Sequence, residues 1–238
     1  AVNRGWRDLA LGDLLIERYG LPVYLANDSQ AAALAELSFG STNGPRDLVV
    51  LLVDHGISAG IVLDGRVYQG GNRLGASEIG HVRVVEGGEP CACGHFGCLE
   101  TVASRGAIIR RAQAIYASQP ESILHQMAQQ IDDVDLEIIL QACQAGDRPV
   151  AGLIAQVGRN LSIAIANLVS TLNTPLVVLT GSVMELGDAL MEPLVAELQQ
   201  RILPELAERM QLKVSTQGTD LVIRGAAALV LAEELGVI

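Results

Sequence analysis

Three observations predict an α/β fold. Runs dense in branched aliphatic residues, such as Leu48–Val53 (LVVLLV), a buried strand by composition, and residues 175–183 (PLVVLTGSV), read as strands. Ala- and Leu-rich segments with helical spacing lie between them. Half of the 238 residues are hydrophobic but only 3% are aromatic. The core must therefore be built from Ala, Leu, Ile and Val, which suits close packing of helices on a sheet, and the length suffices for a sizeable core.

Leu9 to Tyr19 has apolar residues at helical spacing, and Gly20 and Pro22 end that helix. Residues 22–26 (PVYLA) read as a short strand that delivers Asn27 and Asp28 at its C-terminal end. Ser29 to Phe39 continues as a helix, and residues 40–47 (GSTNGPRD) form a turn cluster. After the strand Leu48–Val53 and the HGISAG segment, residues 61–70 (IVLDGRVYQG) give two strand-like runs around Asp64-Gly65, a hairpin signal. From Thr101 to about Asn173 the chain is mostly helical, with a breaker at Gln119-Pro120 and a turn at AGDRP. PLVVLTGSV enters a glycine turn. Met191 to Gln211 is expected to be helical with a kink at Pro204, and residues 221–238 to hold a strand and then an Ala-rich helix. No internal repeat, low-complexity tract or flexible linker is visible.

A net charge of −11 argues against a nucleic-acid surface on this chain; the densest basic pair, Arg110-Arg111, fits a solvated helix face. Every apolar run is interrupted too soon to span a membrane, and no signal peptide is expected. Four cysteines do not make a disulfide scaffold at this length, so the expected compartment is the cytoplasm. The chain starts without Met and already inside a helical pattern, which suggests a piece of a longer polypeptide.

Residues 77–100 (SEIGHVRVVEGGEPCACGHFGCLE) concentrate three of the four cysteines, two of the four histidines and five glycines. His81, Cys91, Cys93 and Cys98 form a candidate zinc set, since zinc favours four N and S donors in a tetrahedron. Gly94 and Gly97 would let the backbone fold back so that the three sulfurs face one point. His95 competes as a donor but sits in the turn. The alternatives are free cysteines in a flexible loop or a redox pair. A closed Cys3His site has no open position for water and would be structural. Cys143, alone in a helical stretch, reads as a small core residue.

EIGH followed by CACGHFGCLE resembles the zinc signature of the ROK family of repressors, open reading frames and sugar kinases. ANDSQAAALAE is similar to the family's Asn-Asp motif and the helix behind it, and GISAGIVLDGRVYQG to its second phosphate loop and hairpin. VVLTGSV and RGAAALV are similar to its later glycine turns. The resemblance covers essentially the whole chain. It implies an actin-like (ribonuclease H-like) sugar kinase fold of two lobes, truncated here at the N-terminus because the family's first phosphate loop is absent. Residues 1–43 would be the tail of the first lobe. Residues 44–222 would be the second lobe, with the zinc loop at 81–98. Residues 223–238 would be a helix returning to the first lobe.

The resemblance also implies a sugar site. Asn27 and Asp28 would contact sugar hydroxyls, with Asp28 as general base if the protein is a kinase. Glu78 would accept further hydroxyl hydrogen bonds. His81 would bind zinc through one ring nitrogen and a hydroxyl through the other, and Glu100 would complete the ring. Gly56, Gly60 and Gly181 are the glycines left to hold a nucleotide, and ATP and Mg would be required only for a kinase.

Family kinases carry roughly Gly-Thr-Gly-x-Gly where this chain has Asp54 to Ser58, because backbone N–H groups must approach phosphates closely. Asp54 and Ser58 stand where glycines are expected. The pattern His-Gly-Ile-x-Ala-Gly, an unbroken GCLETVAS run into a long helix, and the lone glycine of Thr180-Gly181-Ser182 look more like the family's regulators. The expectation is a sugar-sensing domain of a transcriptional regulator, binding a monosaccharide or derivative as a homodimer or higher homo-oligomer. DNA would be contacted only through a segment N-terminal to this chain. An ATP-dependent sugar kinase is the alternative, and a zinc-stabilised dimerisation module without ligand is a third reading.

Overall fold

The computed structural model describes residues 9–40, 45–71 and 78–236. A five-stranded sheet organises the chain: β1 (Leu48–Val53), β2 (Ile57–Leu63), β3 (Arg66–Val67), β4 (Leu176–Thr180) and β5 (Gln211–Val214), in the order β3-β2-β1-β4-β5. β1 pairs antiparallel with β2, Leu51 opposite Ala59, and parallel with β4, Leu51 opposite Leu179. β2 and β3 form the predicted hairpin, and Asp64 (φ 52°) and Gly65 (φ 76°) take the two left-handed positions that a type I′ turn requires.

Strand alternation sorts the side chains into two cores. Val49, Leu51 and Val53 of β1, with Val177 and Leu179 of β4, join the larger core. Leu48, Val50, Leu176 and Val178 join a smaller one on the opposite face. Burial on both faces is why these strands read as continuous aliphatic runs.

The smaller core is covered by α2 (Asp28–Phe39) and α10 (Leu221–Leu235), which pack closely together. At their crossing a β-carbon on Gly225 would lie 1.7 Å from the carbonyl oxygen of Ala31. The larger core is covered by α3 (Leu99–Ala103), α4 (Arg105–Ser118), α5 (Leu124–Met127), α6 (Leu136–Gln144), α7 (Arg148–Leu172) and α8 (Asp188–Gln199). α7 is long and apolar enough to cross a membrane, but Leu161, Ile165 and ten other residues of it are buried among these elements, as befits a core helix. Asp147 starts α7 by accepting from the Val150 N–H at 3.0 Å. The same buried carboxylate accepts from the Ser122 hydroxyl and the Ile123 N–H.

Four expectations are corrected. Residues 22–26 form no strand: a strand needs a ladder, and none of the described strands pairs with them. α1 (Leu11–Tyr19) does end at Gly20 in the left-handed conformation, as expected. The segment 191–211 is not one kinked helix. α8 ends at Gln199, Pro204 opens a separate helix α9 (Pro204–Arg209), and Gln211 begins β5. Proline suits the first helical turn and drives the residue before it to extended backbone, as at Leu203 (ψ 141°). Residues 221–224 are helical and not a strand, because Leu221 and Val222 pack with α2 beneath the sheet. GCLETVAS is also not unbroken: Ser104 is extended (ψ 157°), ending α3 and capping α4 through the Ala107 N–H at 3.3 Å. The turn predicted at 40–47 lies partly outside the described residues.

Candidate functional site

Asn27 caps α2. Its Oδ1 accepts from the Ser29 N–H at 3.0 Å and the Ser29 hydroxyl at 2.7 Å, and Gln30 completes a capping box. The cap uses the amide oxygen, so the amide nitrogen is the end that can donate to a ligand. Asp28 sits in the first turn, where the helix dipole favours a carboxylate. Its Oδ1 accepts from the Ser29 N–H at 2.7 Å and from the Ser58 hydroxyl at 3.3 Å. Ser58, which stands where a glycine is expected in family kinases, thus orients Asp28 from β2.

His81 lies in a short 3-10 turn, Ile79–His81. Its Nδ1 is 3.5 Å from Cys91 Sγ and its Nε2 is 3.9 Å from a carboxylate oxygen of Glu78. One ring nitrogen therefore faces the sulfurs and the other faces Glu78. Glu100, at the start of α3, accepts from the Ile57 N–H at 3.1 Å and lies against Gly56. It ties the end of the cysteine loop to the turn between β1 and β2.

The donor atoms of His81, Cys91, Cys93 and Cys98 all lie within 4.8 Å of one another. Cys93 and Cys98 sulfurs are 3.7 Å apart. A tetrahedron with Zn–S of about 2.3 Å and Zn–N of about 2.05 Å has S···S edges of roughly 3.8 Å and S···N edges of roughly 3.5 Å. The spacing fits a closed zinc site. Gly94 (φ 90°) and Gly97 (φ 70°) make the backbone reversal between the ligands. Hydrogen bonds from the His95 backbone, then from its side chain, lower the Cys93 thiol to about 6, while burial and the neighbouring sulfurs raise Cys98 to about 12. Cys98 therefore resists ionising beside its neighbours, and a bound divalent cation would remove that conflict. Cys143 stands apart from the cluster, half-buried against the larger core.

A cavity of about 610 Å³ opens beside Asp28 and is lined by Asp54, His55, Gly56, Gly181 and Ser182, among others. Asp54 Oδ1 accepts from the Ser182 hydroxyl at 2.6 Å, joining the β1–β2 turn to the turn after β4. Gly181 (φ 103°) passes so close under β1 that a β-carbon would meet the Val53 oxygen at 2.3 Å. Gly60 does not line this cavity. It is buried in β2, where a β-carbon would lie 2.0 Å from the Ser29 oxygen and 2.6 Å from Ala33 Cβ. The zinc-type cluster, Glu78 and Glu100 lie outside the cavity lining as well. Sequence spacing offered no signal for the Asp54–Ser182 or Ile57–Glu100 contacts.

Across residues 1–233 the sequence matches the model of the ROK family. The chain belongs to the ROK family. Its fold is the α/β, two-lobed, actin-like fold of ROK sugar kinases. A glucokinase of Halalkalibacterium halodurans is 36% identical over 98% of this chain and 71% of its own length. The DNA-binding transcriptional repressor Mlc of Escherichia coli is 32% identical over 94% of this chain, which spans only 53% of the repressor. Among solved structures, a ROK glucokinase from Streptomyces griseus in complex with glucose and AMPPNP superposes with a TM-score of 0.85 at 29% identity. That match covers 96% of this chain and 74% of the other. A ROK transcriptional regulator homologous to E. coli Mlc superposes at 0.81 with 35% identity, over 94% of this chain and 55% of its own.

Proposed function

We propose that this chain is the sugar-binding part of a ROK protein that acts in the cytoplasm, and that a monosaccharide or derivative is held by Asn27, Asp28, Glu78, His81 and Glu100. Zinc, bound by His81, Cys91, Cys93 and Cys98, serves as a structural clamp that fixes the His81 ring. Of the family's two branches, ATP-dependent hexose phosphorylation has the better support, because the chain spans 71% and 74% of two glucokinases but only 53% and 55% of the two regulators. The observation that carries it is the shared cavity: Asp28 lines the same space as the Gly56 and Gly181 turns. In this reading Asp28 takes the proton from the attacking sugar hydroxyl through its Oδ2, while Ser58 and the Ser29 N–H hold Oδ1. The Gly56 and Gly181 turns would lie along the nucleotide phosphates, with Mg offsetting their charge.

One observation favours the second reading, a sugar sensor in a transcriptional regulator. Asp54 brings a carboxylate into that cavity and bonds Ser182 across it, which opposes a triphosphate. A sensor would act through differential affinity of the sugar for two lobe arrangements of a homodimer, with DNA contacted by a segment outside this chain. Coupled ATP turnover and calorimetry with a monosaccharide panel, on the full-length protein, separate the two. Sugar-dependent turnover abolished by Asp28→Asn supports the kinase. Sugar binding without turnover, with operator release, supports the sensor. Absence of binding by any sugar would refute both.

A further inference from the structure

Five nitrogen and sulfur donors crowd residues 81–98, but a closed zinc site takes four. The mutually close set is His81, Cys91, Cys93 and Cys98, without His95. His95 is nevertheless held beside that set. Its carbonyl accepts from the Cys91 N–H at 2.8 Å, the Gly94 N–H bonds back to the Cys91 carbonyl at 2.9 Å, and residues 90 and 96 pair as a bridge. The side chain that leaves this pinned turn places its Nδ1 3.6 Å from Cys93 Sγ.

We infer that His95 is a positioning residue for the metal, donating an Nδ1–H hydrogen bond to the Cys93 sulfur and so holding that thiolate on zinc. The inference rests on the zinc reading above. Three thiolates and a neutral imidazole leave a zinc site with one net negative charge, carried mainly on sulfur. An N–H donor to sulfur offsets that charge and orients the ligand, as outer partners of metal ligands generally do. Because His95 is exposed, its imidazole reaches the sulfur without a buried polar atom to satisfy elsewhere.

The test uses the zinc-loaded full-length protein in competition with a chromophoric chelator. His95→Ala is expected to weaken zinc retention by about 10- to 100-fold. His95→Asn, whose amide nitrogen can occupy the Nδ1 position, is expected to recover most of it. With cobalt in place of zinc, the thiolate-to-metal absorption band should shift in His95→Ala and keep its three-thiolate intensity. Equal retention by wild type and His95→Ala would overturn the inference. So would His81→Ala retaining a four-coordinate cobalt spectrum that collapses when His95 is also removed, because His95 would then be a ligand. A wild-type protein that binds no zinc would overturn the zinc reading and this inference with it.

Discussion

Gly60→Ala tests whether the glycine of β2 serves packing or phosphate contact. The added methyl would sit 2.0 Å from the Ser29 carbonyl oxygen, 2.6 Å from Ala33 Cβ and 2.8 Å from the Ser29 carbonyl carbon. An ordinary carbon–oxygen contact is about 3.3 Å, so α2 and β2 must separate by roughly 1.3 Å against a close-packed interior. Overpacking of this kind costs about 1–3 kcal/mol, and contact with rigid backbone puts this site near the upper end. For a chain of this length, about 3 kcal/mol lowers Tm by roughly 6–12 °C. The shift also moves Asp28, which lies one residue from Ser29 and bonds Ser58 on β2. A displacement of about 1 Å at a positioned group can cost on the order of a hundredfold in rate. Urea unfolding without any ligand, followed by sugar titration calorimetry, reads both effects. Stability equal to wild type in the absence of nucleotide would refute the packing argument and return Gly60 to the phosphate side.

Asp147→Ala should cost about 3–5 kcal/mol in urea unfolding, since it removes a helix cap and strands the Ser122 hydroxyl and Ile123 N–H at a buried site. Burial, and then the Asp147 carboxylate, push the Cys143 thiol from its ordinary 9.0 to about 11. The folded state thus favours the protonated thiol. Its contribution is fully present below pH 9 and is lost as pH rises through 11, so wild type should lose stability more steeply than Cys143→Ala across that window. Chelating the metal should lower Tm reversibly on zinc readdition, because the ligands join His81 to Cys98 at the start of α3. The same treatment should weaken sugar binding by freeing the His81 ring.

Much of the site was legible because its signals are local. A pair of left-handed turn residues and a set of metal donors each announce themselves within a few positions. Asp64-Gly65 in the hairpin and the four donors of residues 81–98 were read in this way. The failures are equally physical. Residues 22–26 and 221–224 have strand-like composition, but a strand exists only with a partner, and α2 offered Leu221 and Val222 a helical packing site instead. β5 was missed because Gln211–Val214 is mostly exposed and carries only four residues of pattern.

The sequence alone determined the α/β class, most of the helices, the strands β1 and β4, the zinc-type donor set and the family. These depend on periodicity, composition and short spacing, which the chain carries at every point. Tertiary structure decided which residues act together. It set Ser58 on Asp28, Glu100 on the Ile57 N–H, and Asp54 on Ser182 across 128 positions of chain. It also turned Gly60 towards α2 and away from the cavity. Such contacts follow from how strands are ordered and how closely helices approach them, and no local pattern encodes a distance between residues so far apart in sequence.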